Sequence, residues 1–250
     1  MAIPISTTAL PSPPLVIASR GASADAPENT IAAFELAIEQ GADALALAVH
    51  LSKDDQLVVI NDFTLERTTD GAGPVRDHTV RELKRLDAGG WYGRGFRGQR
   101  VQTLHEILER FRDRIRLWIE IRGGVEVYPD IDEGVVSTVE IYEATERVLI
   151  QSLDRPTLDS VRARSTEIPL ATRVARGPLE PVLEAPGPVG ALCVRFDLLR
   201  ADTVAAAKRA GLECHAWTIS DLAHVPALLA SRVAGIITDK PGLLRTGLRR

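Results

Sequence analysis

Ala44-Leu45-Ala46-Leu47-Ala48-Val49-His50, a link through Asp54-Asp55, and then Gln56-Leu57-Val58-Val59-Ile60 form the stretch on which the fold turns. Both runs read as strands, but the link between them is too short for the crossover that parallel strands require. They are expected to form a hairpin. With Asp54-Asp55 as its tip, residues whose numbers sum to 109 face each other, so that Ala48 lies opposite Asn61 and His50 opposite Val59. Period-2 alternation places Ala46, Ala48 and His50 on one face and Leu45, Leu47 and Val49 on the other.

Outward from this hairpin, short β-branched runs alternate with amphipathic helical stretches, the pattern of βα units. The further strands expected are Leu15–Ala18, Leu117–Ile121, Arg147–Gln151, Pro169–Arg173, Ala191–Phe196, Glu213–Thr218 and Gly235–Thr238. Helices are expected over Thr30–Glu39, Val80–Arg85, Leu104–Phe111, Glu133–Ala144, Pro156–Arg162, Ala201–Ala210 and Asp221–Leu229. Counting the hairpin's second arm as an excursion leaves eight strands, which suits a TIM-like (β/α)8 barrel. The length of 250 residues fits one such barrel over 15–250. Residues 1–14 read as a loose arm, because Pro11, Pro13 and Pro14 interrupt any helix and neither a basic start nor an apolar core of a signal peptide is present. The segment from Asp62 to Val101 is a long Gly- and Arg-rich loop in which Trp91 and Tyr92 are candidates to cap a pocket.

The net charge of −4 and a pI near 5.8 give no general attraction to nucleic acid. No apolar run approaches the roughly 18 residues that suggest a membrane span. The two cysteines, Cys193 and Cys214, sit in apolar strands without metal-ligand spacing, which fits a reduced cytoplasmic setting. The expected partners are therefore small molecules or proteins, with a small-molecule ligand foremost, and composition leaves the oligomeric state open.

Val16-Ile17-Ala18-Ser19-Arg20-Gly21-Ala22 followed by Pro27-Glu28-Asn29-Thr30 resembles the opening signature of the glycerophosphodiester phosphodiesterases, His-Arg-Gly and then Pro-Glu-Asn-Thr. Gly41-Ala42-Asp43-Ala44, Thr64-Leu65-Glu66-Arg67-Thr68-Thr69, Ile119-Glu120-Ile121, Ala216-Trp217-Thr218 and Gly235-Ile236-Ile237-Thr238-Asp239-Lys240-Pro241 continue the likeness in order. The resemblance implies a TIM-like barrel in which carboxylates hold a divalent ion and two histidines act as general acid and base. It also implies departures at those positions. Ser19 and Asn61 stand for the histidines, Ala46 and Ala48 for two metal carboxylates, and Arg122 for a lysine, while Glu120 remains.

One carboxylate is a poor match for a hard cation that takes several oxygen ligands, so no metal or other cofactor is expected. Arg20 and Arg122 at the C-terminal face suit a phosphate or carboxylate, and the small replacements leave room for an apolar body. Glu28 reads as a helix-start residue beside that pocket, and the resemblance makes Trp217 a candidate wall. Three functions stand open. The chain is a non-hydrolysing binder or pseudoenzyme; or a metal-independent cyclase, lyase or isomerase with Glu120, His50 or Asp62 as acid or base; or an inactivated variant of an active phosphodiesterase.

Overall fold

The computed structural model describes residues 13–249. Of the expected arm, residues 1–12 lie outside the described residues. The chain runs β1 (Leu15–Ser19), α1 (Ile31–Glu39), β2 (Ala44–Leu51), β3 (Leu57–Val59), α2 (Val80–Leu83), β4 (Gln102–Thr103), α3 (Leu104–Phe111) and β5 (Arg116–Ile121). It continues with α4 (Gly124–Val127), α5 (Ile131–Ile141), β6 (Val148–Ser152), α6 (Arg155–Arg164), β7 (Leu170–Val174), α7 (Glu180–Glu184) and β8 (Ala191–Arg195). The last elements are α8 (Ala201–Arg209), β9 (Glu213–Trp217), α9 (Val225–Ser231), β10 (Gly235–Thr238) and α10 (Pro241–Leu248).

β1, β2 and β5 to β10 form a closed barrel of 8 parallel strands, sealed where β1 pairs with both β10 and β2. Alternation divides their side chains. Inward residues, among them Ile17, Ala44, Ala46, Trp118, Ala171, Ala191, Cys193 and Ile237, pack along the axis, whereas Leu45, Leu47, Val49, Leu117 and Ile119 pack outward with α1, α3 and α5. Ala46 lies beside Trp118 in the β2–β5 register. A small side chain there leaves space for an indole inside a narrow barrel.

Local chemistry fixes the helix starts. Thr103 and Glu106 form a capping box at α3, the Asp154 carboxylate accepts the Thr157 N–H (3.0 Å) at α6, and the Thr30 hydroxyl accepts the Ala33 N–H (3.3 Å) at α1. The sequence reading omits α4, α7, α10 and β4. The first two are only 4 and 5 residues long, α10 contains Gly242 and Gly247, and β4 spans 2 residues. Such stretches carry too little periodicity to be recognised.

The β2–β3 hairpin exists, with a register one residue from the expected one. Val49 faces Val59 and His50 faces Val58, so paired numbers sum to 108. The Ser52 N–H donates to the Gln56 carbonyl (2.9 Å), leaving a loop of Lys53, Asp54 and Asp55 with Asp55 in the left-handed region at φ 55°. A three-residue turn thus replaces the two-residue tip, and the Ser52 hydroxyl supports it by donating to Asp54 (2.7 Å). The Ala48 carbonyl accordingly accepts from Ile60 N–H (3.1 Å), not from Asn61. The long loop has its own apolar cluster of Leu65, Val75, Leu83, Ala88 and Val101 against Val58 and Ile60. Trp91 and Tyr92 do not cap the barrel mouth: their polar atoms donate to the Ala88 and Ala24 carbonyls, and neither lines the mouth pocket.

Gly21 directs the chain from β1 toward α1. Its φ is +84°, and a Cβ there would lie 2.6 Å from the Ala33 carbonyl carbon. Gly21→Ala is therefore expected to cost about 2 kcal/mol or more, from left-handed strain and backbone displacement together, measured as a lowered urea midpoint. An unchanged midpoint would refute this close approach.

Candidate anion-binding site

The C-terminal ends of the barrel strands surround a pocket of about 210 Å³. Ser19, Arg20, Ala46, Ala48, Asn61, Glu120, Arg122 and Trp217 line it, joined by Gln151, Arg173, Thr218 and others. His50, Glu28 and Asp62 are not among its lining residues.

Glu120 is the centre of the site. It is buried, with Ala48 beside it on β2 and Gln151 beside it on β6. Arg122 Nη1 donates to Glu120 Oε1 (2.9 Å), and Arg173 Nη1 approaches Glu120 Oε2 at 3.2 Å. The Arg173 guanidinium carbon lies 4.1 Å from the Trp217 ring centroid, and Trp217 Nε1–H donates to the Cys193 carbonyl (2.7 Å). Trp217 is thus a fixed platform that holds Arg173 over the carboxylate.

The donor set does not fit a divalent cation. Both Glu120 oxygens face guanidinium groups, the β2 positions beside them present methyl groups, and the described residues contain no cluster of His, Cys, Asp and Glu able to hold a metal. The set fits an anion instead. Arg20, Arg122 and Arg173 stand against one lining carboxylate, and the Nε–H groups of Arg122 and Arg173 are buried without partners among the described residues. The Gln151 amide is also buried, with neither its oxygen nor its nitrogen partnered among the described residues.

Beside the pocket runs a chain of ion pairs. Glu28 accepts from Arg20 (3.0 and 3.1 Å) and from Arg67 (2.8 Å at each oxygen), Arg67 also reaches Asp62 (2.5 and 2.8 Å), and Asn61 donates to Asp62 (2.8 Å). Glu28 therefore braces Arg20 instead of meeting a ligand. The Arg67 guanidinium holds the Asp62 carboxyl down to about 2, which makes it a weak base near neutrality. Arg20 itself adopts φ 57°, an unusual conformation for a residue with a side chain, held by its N–H bond to the Ala46 carbonyl (2.6 Å).

The expectation that His50 enters the pocket is corrected. β2 continues past the barrel mouth into the hairpin, and His50 is sealed there with no exposed surface. Its Nδ1 meets the Tyr128 hydroxyl (3.0 Å), its Nε2 meets the Asn61 carbonyl (3.3 Å), and Phe63 stacks edge-on at 4.8 Å. Burial pushes its imidazole down to about 4, so it is neutral at physiological pH. The cysteines are buried too, and burial pushes both thiols up to about 12.

Arg173, Gln151 and Arg67 were missed by the sequence reading. Arg173 and Gln151 terminate expected strands, and the rule that barrel sites collect at strand C-termini marks them. Arg67 lies in a recognised block but becomes a partner of Glu28 only through the fold.

A closed barrel of 8 parallel strands with its charged residues gathered at the strand C-termini places the chain among the α/β-barrel proteins. Residues 20–243 match the Glycerophosphoryl diester phosphodiesterase family, and the chain belongs to it. It is 38% identical over 242 residues to a glycerophosphodiester phosphodiesterase of Caldanaerobacter subterraneus subsp. tengcongensis, covering 94% of this chain and 98% of that one. Among solved structures, an Oleispira antarctica phosphodiesterase in complex with the product sn-glycerol-3-phosphate is similar at TM-score 0.88 and 28% identity, covering 95% of this chain and 97% of that one. The glycerophosphodiester phosphodiesterase of Agrobacterium tumefaciens str. C58 is similar at TM-score 0.81 and 30% identity, covering 93% and 99%.

The buried His50 predicts a pH dependence of stability. An unfolded imidazole takes up a proton below about pH 6.5, whereas the folded one resists until about pH 4. This contribution is complete above 6.5 and is lost as pH falls toward 4. Between pH 7.5 and 5 it amounts to about 2 kcal/mol. In His50→Gln, the drop in urea stability across that interval should shrink by about this amount; an equal drop in both proteins would contradict the assignment.

Proposed function

We propose that the barrel mouth binds a small phosphate- or carboxylate-bearing molecule with an apolar body and does not hydrolyse phosphodiesters by the metal-dependent route of its family. The observation that carries this reading is Glu120 held between Arg122 and Arg173. Two guanidinium groups offset the carboxylate and leave a cationic surplus, the role that a divalent ion would have filled.

Relatives named as glycerophosphodiester phosphodiesterases, and a structural neighbour holding sn-glycerol-3-phosphate, support a phosphate-bearing ligand. The placement of the proton-transfer candidates argues against hydrolysis. Asp62 and His50 lie outside the pocket, Glu120 is engaged by two cations, and among the described residues no histidine is hydrogen-bonded to Ser19. A nucleophile without a base and a base held in ion pairs supply little of the roughly 10²–10⁴-fold that positioned proton transfer contributes. The same placement weakens the reading as a metal-independent cyclase, lyase or isomerase.

Calorimetric titration is expected to show no tight binding of Ca²⁺, Mg²⁺ or Mn²⁺, no turnover of glycerophosphocholine at neutral pH, and binding of inorganic phosphate. Arg173→Met should weaken phosphate binding by about 10- to 100-fold, the value of a lost charged hydrogen bond. Metal binding accompanied by turnover, or phosphate affinity unchanged by Arg173→Met, overturns the proposal.

A further inference from the structure

Among the described residues, three of the exposed large apolar side chains stand on one rim of the barrel: Phe63 at 43% exposure, Leu153 at 50% and Val127 at 38%. The others belong to the long loop and to α5, α9 and α10. Phe63, Leu153 and Gly123 line a groove with Arg122 and Glu120. Val127 adjoins the groove behind Gly123, where an added Cβ would meet Phe63 Cε1 at 3.0 Å and Val127 Cβ at 3.1 Å. The glycine, at φ +76°, thus sits between two apolar walls.

The groove opens from the mouth pocket, since Glu120, Arg122 and Leu153 line both. Its other carboxylate, Asp154, faces α6, where it accepts from the Thr157 N–H (3.0 Å) and hydroxyl. An anion at Arg122 therefore has a hydrocarbon surface on one side, and apolar area in contact with water is removed when that surface is covered.

We infer that this groove seats the hydrocarbon arm of an amphiphilic anion, an alkyl phosphate monoester whose head lies against Arg122 in the pocket. The inference rests on the anion-binding reading above and adds a second subsite to it. Charge complementarity orients the occupant: the head goes to the guanidinium groups, and the arm crosses Gly123 between Phe63 and Leu153.

Calorimetry with inorganic phosphate and with butyl, hexyl and octyl phosphate below their micelle concentrations tests the two ideas separately. Affinity should rise with chain length by up to about fourfold per buried methylene until the groove is filled. Phe63→Gln and Val127→Gln should each flatten that gradient while leaving inorganic phosphate affinity unchanged. Ile141→Gln, at an exposed apolar position on α5 outside the groove, should leave the gradient intact. Phosphate binding with no chain-length gradient sinks the groove and spares the anion site, as does a gradient that survives in both groove variants or falls equally in Ile141→Gln. Failure of all four probes to bind removes the anion site itself.

Discussion

A barrel of eight parallel strands closes around its own inward side chains, and their summed size sets what the axis can hold. Here Trp118 occupies the axis beside Ala44, Ala46, Ala171 and Ala191, so one large ring is matched by small neighbours from several strands. The charged layer sits above that packing. Glu120 follows Trp118 at period 2 on β5 with Arg122 just past that strand's end, Arg173 follows Ala171 on β7, and Trp217 follows His215 on β9. The alternation that fills the core therefore also presents the site at its mouth.

Buried charge is tolerated in that layer because it is paired. Glu120 would be expensive to desolvate alone, yet it lies between two guanidinium groups, one of them stacked on Trp217. The nearby chain of Arg20, Glu28, Arg67 and Asp62 balances two cations with two carboxylates. The surplus positive charge is concentrated on Arg122 and Arg173 around Glu120. Metal coordination and ion pairing are alternative ways to satisfy one buried carboxylate, and these residues favour the second.

Much of the barrel was legible locally. Alternating hydrophobicity gave the barrel strands, Thr30–Glu39, Leu104–Phe111 and Pro156–Arg162 read as helices close to α1, α3 and α6, and the short link at Asp54-Asp55 required a hairpin. The site was legible where a strand ends in an unusual residue, as at Glu120 and Arg122, and where a recognised motif supplied Ser19, Arg20 and Asn61. His50 shows the limit of the period-2 argument. Alternation assigns it to the face of Ala46 and Ala48, yet β2 outruns the barrel, and Phe63 and Tyr128 close over the ring. A face is a property of the strand; what covers that face depends on chain brought in from elsewhere.

The sequence by itself determined the barrel class, the excursion of the hairpin and the absence of carboxylates at residues 46 and 48, because periodicity, link length and side-chain type are local facts. Only the tertiary structure decided the hairpin register, the burial of His50, and the meeting of Arg173 with Glu120, which lie on different strands and more than about fifty residues apart in the chain. Register depends on the turn that Ser52 and Asp55 adopt together, and the ion cluster on which strand ends closure brings to one rim. Neither relation exists until the chain has folded, so neither is written in any short stretch of it.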